Sequence, residues 1–346
     1  GSAAKVAGVA TVDGRRLAGT PPARRLAAPA RAPADRTPDM PVPETPTAAA
    51  PSDRTKWLGL ALICLVQFMV VLDIAVVNVA LPSIQQDLGF AQEDLQWVIS
   101  AYALAFGGFL LLGGRLGDLV GRRRVFALGL LLFTAGSLLC GLAWSDLSLI
   151  LFRALQGLGA AAVSPAALAI LTATFAVGRE RNIALGVWGA VGGFGAAAGV
   201  LLGGVLTDLL SWEWIFWLNV PIGALGLLLT PVLLRESRDE SARGFDAPGA
   251  VLVTGHLLLL VLGITQGRDW GWSSGRTVGV FVASAALAAG FVAWERRQAQ
   301  PLVPFAIFRL RTLTGANVAG FVLGTVLFSM FLLLTLYMQQ VLGYSA

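Results

Sequence analysis

Charge is scarce in this sequence. Asp, Glu, Lys and Arg make up 13% of its 346 residues, against 56% hydrophobic residues. A soluble domain carries roughly 25% charged residues, so these residues cannot cover a water-facing surface. A mean hydropathy of +0.74 fits a chain whose solvent is mostly lipid. Histidine occurs once, as His256, and cysteine twice, as Cys64 and Cys140. Both cysteines fall inside apolar runs and read as small buried residues, with no disulfide framework and no metal site. A single histidine leaves no credible Ser-His-Asp set. His-Glu-x-x-His and Gly-x-x-x-x-Gly-Lys-Ser/Thr are both absent, so neither zinc-protease nor ordinary ATP-binding chemistry is expected. Net charge is +5, but the basic residues do not gather on one face, which excludes nucleic acid as a partner.

Residues 1–56 form a separate regime. They hold nine prolines and nine Lys or Arg, with no apolar run. A secretory signal needs an apolar stretch of about 7–15 residues. The segment reads as a disordered cytoplasmic tail; a contact between its arginines and anionic lipid is the less favoured alternative.

Long apolar runs fill the rest. About 20 apolar residues cross a bilayer, and by that measure nine spans are predicted: 57–81, 95–115, 125–143, 148–173, 183–207, 214–234, 249–266, 277–294 and 315–341. The fold class is therefore an all-α polytopic membrane protein. With the N-terminus inside, the inner loops hold thirteen Lys and Arg; the outer loops hold two, Arg268 and Arg276. Short loops rich in Lys and Arg stay in the cytoplasm, so the tail and the loop carrying Arg122, Arg123 and Arg124 are expected there.

Two charges fall inside predicted spans: Asp73 in the first and Arg153 in the fourth. A charge at mid-membrane costs about 2.5–3.5 kcal/mol on insertion scales, and such residues mark functional sites. Taking Pro82 and Ser145 as the outer helix ends, both charges lie roughly 12–14 Å below the outer surface at 1.5 Å per residue. They share a depth, and the expectation is that they face one aqueous cavity. Pairing between them requires helices that the sequence alone does not make neighbours. Arg153, Gln156, Gly157, Ala160 and Ser164 share one helix face, a polar stripe that suits a water-lined cavity or a structural hydrogen-bonding role. Gln67 and Asn78 lie off the Asp73 face and are read as bonding neighbouring helices. His256 reads as an interhelical hydrogen bonder rather than a proton relay. Asp246 with Pro248 reads as a helix start. Gly195, Gly199 and Gly203 repeat every four residues, so a neighbouring backbone can approach closely.

Several segments resemble one family. Leu72-Asp-Ile-Ala-Val-Val-Asn-Val-Ala-Leu-Pro82 is similar to the first-helix signature of the fourteen-span drug:proton antiporters of the major facilitator superfamily. Gly114-Arg-Leu-Gly-Asp118 with Gly121-Arg-Arg-Arg124 resembles the superfamily's loop between spans two and three. Arg153-Ala-Leu-Gln-Gly-Leu-Gly-Ala160 is similar to its proton-linked signature, and Gly195-Ala-Ala-Ala-Gly-Val-Leu-Leu-Gly-Gly204 to its antiporter signature. The segments 212–223, 270–272 and 337–344 also fit the branch. The chain departs from the pattern at Val200, Leu119 and Glu213, where the family usually has Pro, Arg and Arg.

The resemblance implies a major facilitator fold. Residues 57–234 would be the first six-helix half, 235–248 a cytoplasmic loop and 249–294 two extra linker helices. Residues 295–346 would hold a loop and the first helix of a second half, with the chain truncated after its ninth span. It implies efflux of a small lipophilic substrate, best suited when cationic, driven by the proton gradient without a cofactor. Asp73, Arg153 and Gln156 would couple proton and substrate. Asp118, Arg122 and Arg123 would form a cytoplasmic latch whose partner helix lies beyond Ala346; topogenic arginines alone are the equal alternative. Gly195, Gly199, Gly203 and Gly204 would serve packing or gating. A dedicated metabolite exporter and a truncated, non-transporting membrane protein remain the competing readings, and oligomeric state is left open.

Overall fold

The computed structural model describes residues 53–91, 94–238, 246–298 and 301–337. The tail expected over 1–56 lies outside them except for 53–56, which open the first helix. The described chain is helical: α1 Asp53–Leu88, α2 Trp97–Val120, α3 Arg122–Cys140, α4 Asp146–Thr174, α5 Arg179–Leu209, α6 Trp214–Trp217, α7 Asn219–Leu233, α8 Ala247–Trp270, α9 Gly275–Glu295 and α10 Arg311–Leu336, the last preceded by a 3-10 turn, Phe305–Arg309. Eight segments are long and apolar enough to cross a bilayer, with α6 and α7 joined as one, Trp214–Leu233. They correspond to the first eight expected spans. Helix α10 covers most of the ninth; the end of that expected span, 338–341, lies outside the described residues.

Local chemistry sets the helix ends. Ser145 caps α4 through a reciprocal pair of bonds with Ser148, and Asp246 caps α8 by accepting from Gly249 N at 3.0 Å. Each satisfies N–H groups that a helix start leaves unpaired. Arg181 closes the other end of α4, donating to the carbonyls of Thr172 and Phe175 at 2.6 and 3.0 Å. Pro82 does not end α1 as expected. The helix runs six residues further to Leu88. Burial of Ile84 in a core shared with Phe216 and Leu149 offsets the N–H that proline lacks.

Helix α1 packs on α5, α7 and α4; α4 packs on α2 and α3; α8 pairs with α9 and leans on α2. Around α1 and α4 lie two apolar cores, one through Val66, Phe126, Phe133 and Val163 and one through Val76, Val77, Cys140 and Phe216. The polar site lies among residues of these two cores. His256 and Ser284 pin α8 to α9: His256 Nδ1 lies 2.9 Å from Ser284 Oγ, and Ser284 Oγ donates to His256 O at 3.1 Å. His256 is thus the interhelical bonder its isolation suggested.

Candidate functional site: a dry ion pair joining five helical segments

Asp73, near the middle of α1, is fully buried, and Arg153 on α4 is 1% exposed. Their contact is a salt bridge of 2.6 Å between Arg153 Nη1 and Asp73 Oδ2. The second carboxylate oxygen, Oδ1, accepts from Gln156 Nε2 at 2.7 Å and from Asn219 Nδ2 at 2.9 Å. Arg153 also donates to Gln156 Oε1 at 2.5 Å and, through Nε, to the Val98 carbonyl at 2.9 Å. Ser137 Oγ accepts from Gln156 at 2.7 Å. The guanidinium stands 4.4 Å from the ring centre of Tyr102 and 5.7 Å from that of Phe216, positions where the ring faces attract a cation. Side chains or backbone from α1, α2, α3, α4 and the α6–α7 segment therefore meet at one pair of charges.

This arrangement answers the cost of burying charge. Removing two ions from water is unfavourable by several kcal/mol each unless geometry is good and the remaining polar atoms are bonded. Here Asp73 has three side-chain donors, and Arg153 has three acceptors and two aromatic faces. The expectation that both charges face an aqueous cavity is corrected: neither is open to solvent. A recess of about 170 Å³ lies instead at the ends of α1, α4 and α7, between Lys56, Phe175 and Leu234. Of the α4 stripe, Arg153, Gln156, Gly157 and Ala160 are buried. Ser164 Oγ is buried without a partner.

Asn219, Ser137 and Tyr102 belong to the site and were not singled out from sequence. Asn219 carried a signal, an amide standing between apolar residues after Trp217. Ser137 and Tyr102 carried none, since hydroxyls inside a span commonly bond their own helix. Asn78 does that, donating to Ile74 O at 2.9 Å, so its expected bond to a neighbouring helix is replaced by one within α1. Gln67 Oε1 is buried and unpartnered.

Helix α5 holds α1 from outside the pair. A Cβ on Gly195 or Gly203 would meet the Phe68 or Val76 carbonyl at 3.2 and 3.0 Å, and one on Gly199 the Leu72 carbonyl at 2.9 Å. The three glycines thus run along α1 on both sides of Asp73. Gly204 is not part of this contact, because its Cβ would meet nothing within 4 Å.

At the α2–α3 turn, Asp118 pairs with Arg122 at 2.9 Å. Arg123 has a partner inside the chain, Glu236. Glu236 Oε1, just past α7, accepts from Arg123 N at 3.1 Å, and Glu236 Oε2 lies 3.8 and 3.7 Å from Arg123 Nε and Arg124 Nε. The carboxylate sits at the positive start of α3. It fits there because Gly121, at φ +121°, has no Cβ to occupy its place.

Membrane-length helices closed around a buried charge pair define a polytopic all-α membrane protein. Residues 63–346 match the Major Facilitator Superfamily, and the chain belongs to that family. It is 44% identical to the puromycin resistance protein of Streptomyces alboniger over 90% of its own length and 62% of that protein. It is 46% identical to a cephamycin export protein of Amycolatopsis lactamdurans over 84% of its length and 61% of that protein's. The chain thus spans about three fifths of these two curated relatives. A peptide transporter solved with sulfate shares the fold, with TM-score 0.52 and 18% identity over 70% of this chain and 53% of that one.

Proposed function

We propose that the chain is part of an exporter that exchanges protons for lipophilic small molecules, antibiotics among them, across a bacterial cytoplasmic membrane. The observation that carries this reading is the dry Asp73–Arg153 pair bridging α1 and α4. While it is enclosed, such a pair is tolerable only with both partners ionised. A proton on Asp73 removes the charge that holds Arg153, and the guanidinium must then find another acceptor or water. Proton binding is thereby tied to separation of α1 from α4, which is a step alternating access needs. An ionised Asp73 freed from Arg153 attracts a cationic substrate, so proton and substrate compete. Gln156 and Asn219 steer the carboxylate in this scheme. Asp118 and Arg122 supply a latch on the cytoplasmic side, and the tail before α1 lies on that side too. The relatives named for puromycin resistance and cephamycin export support an antibiotic as substrate.

The test is efflux of puromycin from cells carrying the complete protein. Asp73→Asn is expected to abolish gradient-driven efflux per unit of protein in the membrane. Unchanged efflux in that variant removes Asp73 from the coupling role. Puromycin that is retained by both proteins, while another lipophilic antibiotic is exported by the wild type alone, changes the substrate and keeps the mechanism.

A further inference from the structure

Every side chain hydrogen-bonded to Asp73 is a donor. Arg153 Nη1 holds Oδ2 at 2.6 Å, while Gln156 Nε2 and Asn219 Nδ2 hold Oδ1 at 2.7 and 2.9 Å. That suits a carboxylate, which only accepts. A carboxylic acid carries a hydrogen and needs an acceptor within reach. The shell offers few. Gln156 Oε1 is taken by Arg153 at 2.5 Å. Ser137 Oγ takes the Gln156 amide at 2.7 Å. Tyr102 turns its ring to Arg153, and its hydroxyl makes no hydrogen bond with the carboxylate.

Asn219 is the exception. It stands at the start of α7 and is 1% exposed. Its nitrogen meets Asp73 Oδ1 and lies 3.4 Å from Ser137 Oγ. Its oxygen is buried and has no donor among the described residues. A buried acceptor left unpaired is costly, so the amide is only half used while Asp73 is ionised. A half-turn exchanges the two ends of an amide. It brings the unpaired oxygen to the place where the nitrogen meets Asp73. Arg153, Tyr102 and Cys140 are the charged or titratable side chains beside the pair. Helix α5 meets this stretch of α1 through Gly195, Gly199 and Gly203, and α7 reaches the carboxylate through Asn219.

We propose that Asn219 is the acceptor that keeps a proton on Asp73: its amide donates to the carboxylate and, after the half-turn, accepts from the carboxylic acid. This role presupposes that Asp73 is the group that binds the proton. A proton from water forms the O–H bond at Asp73 Oδ1, and that O–H donates to Asn219 Oδ1. Asp73 Oδ2 stays toward Arg153 as a neutral carbonyl oxygen. Asn219 never carries the proton and is a positioning residue. Protonation then loosens α1 from α4, because the ion pair is gone, and keeps α1 fastened to α7. The step that parts α1 from α4 leaves α1 and α7 moving together.

Acid-induced infrared difference spectra of the complete protein in lipid nanodiscs test this. A protonated carboxyl has a carbonyl stretch that a carboxylate lacks, and its frequency is lower when its O–H donates. On acidification the wild type is expected to gain a band, at the frequency of a hydrogen-bonded acid, that Asp73→Asn does not gain. Asn219→Leu has the same branching and no acceptor. It is expected to move the band up to the frequency of a free acid, whereas an Asn219 that only packs would leave the band in place. Identical spectra from wild type and Asp73→Asn mean that Asp73 takes no proton, and overturn its coupling role together with that of Asn219. A band that Asn219→Leu leaves unmoved overturns the role of Asn219 alone. If Asn219→Leu accumulates too poorly to measure, wild type with isotope-labelled asparagine decides the matter. One asparagine amide carbonyl is expected to shift down on acidification, and labelled carbonyls that all stay fixed overturn the assignment.

Discussion

At the residue scale, Asp73 and Arg153 are each costly alone and stable together. Their contact of 2.6 Å is enclosed, so water cannot replace a lost partner. Removing one side of a buried pair destabilises by about 3–5 kcal/mol, whereas an apolar pair of similar volume is often neutral. Arg153→Met is therefore expected to cost about that much in denaturant unfolding of the detergent-solubilised protein. Asp73→Leu combined with Arg153→Met is expected to recover most of the loss. A double variant as unstable as the single would place the stabilisation elsewhere. These two charges were legible in the sequence because an ion inside an apolar run stands out at once. Asn219 and Ser137 complete the shell; the amide of Asn219 left a signal in the sequence, whereas Ser137 was not legible, because hydroxyls in a span are ordinary. Only knowing that α1, α3, α4 and α7 are neighbours makes them a set.

At the element scale, the repeat of Gly195, Gly199 and Gly203 was enough to read close helix approach; the structure supplies the partner, α1. A Cβ on Gly199 would press on Ala75 Cβ at 2.7 Å as well as on the Leu72 carbonyl. Gly199→Val is expected to cost about 1–3 kcal/mol through overpacking, while Gly204→Ala is expected to cost nothing by the same unfolding measurement. The α2–α3 turn makes a second case. Glu236 both caps α3 and faces Arg123 and Arg124. Loss of a capping side chain costs about 0.5–2 kcal/mol. Glu236→Ala is expected to speed amide exchange at Arg123 while leaving the core of α3 protected, as read by exchange mass spectrometry. Sequence reading found these arginines but not their partner, which is brought 113 residues along the chain by the return of α7. The overrun of α1 past Pro82 was likewise hidden, since the burial of Ile84 that sustains it is tertiary.

At the scale of the whole molecule, the first eight spans and their order were legible, because twenty apolar residues between charged loops admit few other readings. The charged contacts also sort by end. Lys56 reaches Asp53 and Glu180, Arg181 closes α4, and Arg123 and Arg124 meet Glu236. The thirteen-to-two bias of Lys and Arg is the ground for proposing that this end is cytoplasmic. Cysteines introduced at Arg179 and Arg238 are expected to react with an impermeant thiol reagent only in inverted vesicles, and one at Arg276 only in intact cells. The reverse pattern would invert the orientation.

The central claim is that a proton on Asp73 and a bound substrate exclude each other. Proton release from the purified complete protein in weakly buffered detergent solution measures this directly when an exported substrate is added. The account predicts release from wild type and none from Asp73→Asn. Equal release from both proteins would contradict it.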